Sequence, residues 1–312
     1  MSKNSCASCK SVNIKKIIKT DNSKIPKWLE KKDYISQFID SISLKPFKNE
    51  NSNMKLKINV GSQHKNKYIL YWGAESSILS KKSKSILIND AKKAYGISKS
   101  KTISNYGVTK VDNEGNVNLF FDCPQPYSTI EKGKKDRETF YRHIHFCFSN
   151  KQKSWNSAVY TKIIICELSL KETIRLHKSG FIVLINALPC EYYAKSHIPN
   201  SYNLHNKKIK KMSQKKLFEW FSEVVKLNYP KIHKLIQNKK LNIYEIPIVV
   251  YCAHKDCNAG YLSAIELLKK GFVNLIDFKG GMKEYLSKNM KGGNSPYPNS
   301  LDKHIIHDKW NH

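Results

Sequence analysis

Arginine is nearly missing from this chain: Arg137, Arg142 and Arg175 are the three found among 55 basic residues. The other basic residues are lysines, and against 25 acidic residues they leave a formal net charge of +30. A surplus of that size invites polyanions. Bidentate phosphate clamps and base-edge readout, however, depend on the guanidinium fork. The composition therefore predicts weak, salt-sensitive attraction and no specific nucleic-acid partner. Long apolar runs are missing too: none approaches the ~18 residues needed to cross a bilayer, so no membrane partner is expected. The opening residues, Met1-Ser2-Lys3-Asn4-Ser5-Cys6, lack the apolar region of a secretory signal. Eight cysteines at irregular spacing do not form the disulfide framework of a small secreted domain. A reducing, cytoplasmic setting is the expectation. Cys6 and Cys9 have half of a zinc-ribbon spacing but no second pair nearby. Internal repeats and low-complexity tracts are absent.

What is present suffices for a multi-domain protein: 312 residues, 40% of them hydrophobic. Residues 1–50 read as a lysine-rich arm and an amphipathic helix from Ile25 to Ser43, with Pro26 in its first turn. Residues 51–166 change to β character. Lys67–Trp72, Val117–Phe121, His143–Phe148 and Ala158–Ile165 are strand-like, and Asp112–Asn116 is a hairpin-type turn. These features predict a β-sandwich, with one helix from Ser85 to Ala94. Residues 167–290 alternate between helical and strand patterns. Ser169 and Glu172 have capping-box spacing, and Phe218, Phe221, Val224, Val225 and Leu227 suggest a buried helical stripe. Residues 291–312, rich in Gly and Pro, read as a flexible tail, in which His304 and His307 lack a third ligand.

The chemistry concentrates at Ile248-Val249-Val250-Tyr251-Cys252, a short buried strand ending in a thiol. A loop follows (Ala253, His254, Lys255, Asp256, Cys257, Asn258, Ala259), then a helix from about Tyr261 to Lys270 that stops at Gly271. A thiol facing a helix N-terminus meets unsatisfied N–H groups and the positive end of the helix dipole, which favour a thiolate or a persulfide anion. Cys257 can resolve a persulfide or sulfenate on Cys252 through a loop disulfide, or it can be a small loop filler. The loop carries no arginine, and phosphatase-type oxyanion chemistry needs C-x5-R, so that chemistry is excluded.

The segment from about Ser169 to Met290 resembles the rhodanese (sulfurtransferase-like) domain. The resemblance runs through four stretches in order: Val183–Leu204 with Glu191-Tyr192 and His197-Ile198-Pro199, then Val249–Cys252, Gly271–Leu275 and Gly280-Gly281-Met282. It implies an α/β domain with a central parallel sheet and sulfane-sulfur transfer through a Cys252 persulfide. The outer sulfur would be cradled by loop amides from Ala253 to Ala259, between a small sulfur donor and a thiol acceptor. His254 and Lys255 would add positive potential, and His197 would make a structural hydrogen bond. Asn186 and Leu188 stand where this family has Asp and Arg, so its usual ion pair is lost.

A second resemblance lies in residues 51–166. Asp112-Asn113-Glu114-Gly115, Cys123-Pro124-Gln125-Pro126-Tyr127 and Arg142-His143-Ile144-His145-Phe146 are similar to the core of the intradiol ring-cleavage dioxygenases. That resemblance implies a non-haem Fe(III) ion held by Tyr127, His143, His145 and a second tyrosine, Tyr95 or else Tyr106, acting on a catechol-like substrate. His143 and His145, two apart on a strand, share a face as paired ligands must. A charged insertion from Ile130 to Glu138 and the position of Arg142 directly before His143 depart from the family pattern. Three functions follow. The first is a sulfurtransferase fused to a dioxygenase-like sandwich. The second is an iron dioxygenase with an accessory rhodanese module. The third is an inactive two-domain interaction protein. Oligomeric state stays open.

Overall fold

The computed structural model describes residues 35–49, 52–76, 86–97, 103–130, 137–150, 154–156 and 158–293. The lysine-rich arm, the Cys6/Cys9 pair, Pro26, Ser85 and the His304/His307 pair lie outside the described residues, as does most of the charged insertion. Those described form two compact units that divide between Ile164 and Ile165. Among them no helix is long and apolar enough to cross a membrane.

The first unit opens with α1 (Ile35–Ser41), the described end of the amphipathic helix, and β1 (Met54–Asn59). There follow β2 (Tyr68–Gly73), β3 (Asn89–Asp90), α2 (Ala91–Ala94), β4 (Tyr106–Lys110), β5 (Asn116–Phe121), β6 (Tyr127–Ile130), β7 (Arg137–Phe140), β8 (His143–Phe148) and β9 (Tyr160–Ile163). An antiparallel sheet of order β4-β2-β8-β9 is its centre, accompanied by a β1-β5 pair and a β3-β6-β7 sheet. β8 is buried along its whole length and β2 nearly so, and neither alternates in polarity, because both faces of this sheet are covered. On one face Leu70, Trp72 and Cys147 join Tyr95, Tyr127 and Phe140 in a single apolar cluster. On the other the Tyr71 hydroxyl donates to the Phe120 carbonyl at 3.1 Å and accepts from its N–H at 3.0 Å.

Two expectations change here. The Asp112–Asn116 turn forms, with Gly115 at φ +82 and Asp112 Oδ1 accepting from the N–H groups of Glu114 and Asn116. Yet β4 and β5, the strands it joins, pair with β2 and β1 respectively, so the turn arches between sheets instead of closing a hairpin. The helix expected from Ser85 shrinks to α2. Asn89 and Asp90 are drawn into pairing with β6, and Asp90 then caps the short helix by accepting from the Lys93 N–H at 3.1 Å.

The second unit runs β10 (Cys166–Glu167), α3 (Leu170–Ser179), β11 (Val183–Asn186), α4 (Cys190–Lys195), β12 (Tyr202–Asn203), α5 (Asn206–Lys211), α6 (Gln214–Asn228), α7 (Pro230–Gln237), β13 (Ile248–Tyr251), α8 (Ala259–Lys269), β14 (Leu275–Phe278) and α9 (Gly281–Ser287). Its sheet, β10-β14-β13-β11-β12, is parallel at every pairing. α3 begins with the expected capping box: Ser169 Oγ accepts from the Glu172 N–H at 3.3 Å, and Glu172 Oε2 accepts from the Ser169 N–H at 3.4 Å. The closing strand begins at Leu275 instead of Gly271. Gly271, at φ +93, ends α8, and Val273 is held outside the strand by its N–H bond to the Tyr244 carbonyl. The buried face of α6 is Leu217, Trp220, Phe221, Val224 and Val225, whereas Phe218 and Leu227 are over 40% exposed. Helical geometry puts these two beside the stripe instead of on it. Among the described cysteines, Cys147, Cys190, Cys252 and Cys257 carry no disulfide.

Candidate functional site

β13 is flanked on both sides, by β11 and β14, and all four of its residues are buried. Its carboxyl end is where an open parallel sheet presents ligand sites. Cys252 stands there, 1% exposed, packed with Cys257, Ala187, Leu188 and Ala259. α9 anchors the loop from behind: the N–H groups of Met282 and Lys283 donate to the carbonyls of Cys252 and Ala253 at 2.9 and 2.8 Å. That close approach requires glycine at 281. Its φ is +60, and a Cβ there would collide with the Cys252 carbonyl oxygen. Gly281→Ala is expected to cost about 2 kcal/mol or more of stability through left-handed strain and loss of these hydrogen bonds, measured by denaturant unfolding.

The thiol itself departs from the expected cradle. The backbone N–H of Gly260, in the first turn of α8, acts to lower the Cys252 thiol, so the helix N-terminus does influence the sulfur. But the Cys257 N–H is turned to the His254 carbonyl at 2.9 Å, and the Cys252 thiol donates to the Cys257 carbonyl at 3.1 Å. Hydrogen bonding with Cys257 and burial push the Cys252 thiol well above its ordinary range, against the helix-dipole expectation. His254 and Asn258 are half-buried and Lys255 and Asp256 exposed, while Ala259 lies in the apolar packing behind the sulfur.

Neutral contacts replace the missing ion pair. Asn186 Oδ1 accepts from the Leu188 N–H at 2.8 Å, and Asn203 Nδ2 donates to the Leu188 carbonyl at 2.6 Å. His197 is fully buried, stacked on Tyr193, and donates from Nδ1 to the Tyr193 carbonyl at 2.9 Å, the structural role expected of it. Sequence reading missed Asp277, a carboxylate on β14 whose surroundings read as plain apolar strand. Only the register, which lays Asp277 beside Val250 of β13, brings it to the loop.

In the first unit, four dispersed residues meet inside the apolar cluster. The Tyr127 hydroxyl lies 3.0 Å from His143 Nε2, and His143 Nε2 lies 3.1 Å from His145 Nε2. The Tyr95 ring packs edge to face on Tyr127, the centroids 5.3 Å apart. Tyr106 goes elsewhere, packing on Phe38 and Phe47, so Tyr95 is the second tyrosine of the group. His143 donates from Nδ1 to the Tyr141 carbonyl at 2.6 Å, and His145 Nδ1 is 2.8 Å from Thr161 Oγ1. These outer contacts aim both Nε2 atoms inward, as outer partners do for ligating histidines. Burial pushes both tyrosines up, His143 down to about 4 and His145 well below its ordinary value, so the group is neutral without a cation. Arg142 reaches away from it, donating to the Pro124 carbonyl at 2.7 Å. Among the described residues no group of three or more His, Cys, Asp or Glu side chains could hold a metal.

Residues 169–288 match the family model of the rhodanese-like domain. Solved structures similar to the chain include three at low identity. The BH2092 protein from Bacillus halodurans is 17% identical (45% of this chain and 86% of that chain covered, TM-score 0.30). The human single-domain sulfurtransferase TSTD1 is 18% identical (39% and 96%, TM-score 0.28). The Saccharomyces cerevisiae single-domain sulfurtransferase RDL2 is 13% identical (40% and 91%, TM-score 0.28). No curated protein matches the chain. The family match lies wholly within the second unit.

Proposed function

We propose, on the premise that residues 169–288 form a rhodanese-like domain, that this unit is a sulfurtransferase carrying sulfane sulfur on Cys252. One observation carries the reading: Cys252 directly follows the central parallel strand and packs against Ala259 at the start of α8. Sulfur transfer needs a nucleophilic thiol and fixed donors for the anion it becomes. The Cys252 sulfur attacks a small donor such as thiosulfate, forming an S–S bond as sulfite leaves, and an acceptor thiol later takes the outer sulfur. The Gly260 amide stabilises the anionic sulfur at each step. His254 and Lys255 border the loop, where their side chains attract an anionic donor. Intact-mass spectrometry after incubation with thiosulfate should show a gain of one sulfur atom. An unmodified mass with thiosulfate and with stronger persulfide donors would overturn the reading and favour an interaction role.

A second reading, for the first unit, rests on the meeting of Tyr95, Tyr127, His143 and His145. The residues fit a ferric ion. With Nδ1 donating to a carbonyl, neutral His143 offers one Nε2 lone pair to two neighbours at once. Separations near 3 Å are those of ligands that share one ion, and O/N donors suit Fe(III). Tyr95 and Tyr127 would bind through their oxygens and the histidines through Nε2, with Tyr141 and Thr161 holding the rings. A bound ferric ion supplies Lewis-acid and redox chemistry toward a catechol-like substrate. Iron should load one to one and give visible tyrosinate colour, which Tyr127→Phe should shift and weaken. Colourless protein after reconstitution, with no bound iron by metal analysis, would remove this reading.

A further inference from the structure

Cys257 and Asp277 make a second layer beneath Cys252. The Cys252 thiol donates to the Cys257 carbonyl at 3.1 Å, and the loop between the two cysteines is tied by the Cys257 N–H on the His254 carbonyl. Both sulfurs are buried and packed against the same alanines and Leu188. Asp277, only 6% exposed, approaches this layer from β14. A Cβ at position 260 would lie 2.8 Å from Asp277 Oδ1, so the missing side chain of Gly260 makes room for the carboxylate. Cys252 packs against Ala259, the residue before this glycine. Carboxylate and nucleophile thus flank the start of α8. Glu167 on β10 faces Asp277 across the sheet, tied to Lys279 at 3.0 Å, and Tyr261 faces it from α8. Asp256 interacts with Lys279 from the loop, and Asp277 interacts electrostatically with both thiols.

A buried carboxylate is costly unless something uses it. We propose that Asp277 is the proton acceptor of a Cys252–Cys257 dithiol, and that Cys257 discharges the Cys252 persulfide as sulfide by closing a loop disulfide. The inference rests on the persulfide reading above and adds its resolution. Asp277 takes the proton of the Cys257 thiol. The Cys257 sulfur then attacks Cys252 Sγ, forming the Cys252–Cys257 bond and breaking the bond to the outer sulfur. That sulfur leaves with the electron pair and takes up the proton from Asp277, departing as hydrosulfide. Two cysteine sulfurs are oxidised and one sulfane sulfur is reduced. An external dithiol reductant reopens the disulfide for the next cycle. Burial, with help from Glu167 and Cys257, raises the Asp277 carboxyl to about 7, which suits proton exchange with thiols near neutrality.

The test has two arms, run on the full chain. In the first, protein loaded with thiosulfate and desalted is followed, without reductant, for sulfide release and for intact mass. Wild type should release one sulfide per persulfide and end as the Cys252–Cys257 disulfide, while Cys257→Ser keeps its persulfide. In the second, reduced protein is oxidised with glutathione disulfide across pH. Wild-type loop closure should show an inflection near the Asp277 value of about 7. Asp277→Asn, with Asp277→Ser as a second variant, should lose that inflection and slow at least ~10-fold near neutrality. Failure to form any persulfide in wild type sinks the parent reading. A wild-type persulfide that persists without sulfide release sinks the resolution by Cys257. Unchanged pH profiles in both Asp277 variants sink the role of the carboxylate.

Discussion

Cys252→Ser is expected to lower thiosulfate-dependent sulfur transfer by roughly a thousandfold or more, to the level of background. Serine nearly matches the side chain in size, and its hydroxyl can keep the bond to the Cys257 carbonyl. The loop and its anchoring by Met282 and Lys283 should therefore survive, leaving chemistry as the variable. What is lost is the only atom at the end of β13 able to hold a sulfane sulfur. Circular dichroism and unfolding midpoints should match wild type while the sulfur adduct disappears from the intact mass. Sulfur transfer that persists in this variant would move the carrier to another thiol, with Cys257 and the half-buried Cys190 the first to test.

The second large effect is on stability, and it depends on pH. Burial raises the Asp277 carboxyl from 3.8 to about 7, so the folded protein binds this proton more tightly than the unfolded chain does. Stability conferred by that proton is complete below about pH 4, declines as pH rises, and is exhausted above about pH 7. A shift of that size corresponds to about 4 kcal/mol, an upper figure that local relaxation reduces. Asp277→Asn removes the ionisation but keeps the shape. Its unfolding free energy should match wild type near pH 4 and exceed it increasingly toward pH 7, then by a constant amount. Urea unfolding at several pH values measures the gap. An equal gap at every pH would show that the buried charge is not its source. The same substitution should stabilise the fold and slow the dithiol, the trade expected where a strained group serves a site.

Much of the second unit is legible in the residues themselves. A buried run ending in Cys252, a helix stopped by Gly271 and the Ser169/Glu172 cap are local patterns, governed by side-chain periodicity and backbone conformation. Local signals misplace what depends on partners. The run after Gly271 is apolar enough for strand, but pairing with β13 starts only at Leu275. The Asp112–Asn116 turn is correct as a turn and wrong as a hairpin, because turn chemistry says nothing of which strands its arms will join.

The candidate ligands divide in the same way. The i, i+2 spacing puts His143 and His145 on one face of β8 by covalent geometry alone. Tyr95 and Tyr106 look alike in sequence, and only packing places Tyr95 against Tyr127 and Tyr106 against Phe38 and Phe47. Cys252 could be chosen from the sequence, since a thiol between a strand and a helix is a local fact. Its protonation could not, because the hydrogen bond to Cys257 and the burial that raise it come from folding. Asp277 is the clearest case. In the chain it is one acidic residue within an apolar strand, and parallel pairing carries it across the sheet to the space left by Gly260. Sequence alone determined the strand, the thiol and the paired histidines, because each depends on neighbours within a few bonds. The tertiary structure decided which groups meet, because those contacts act through space between residues far apart along the chain.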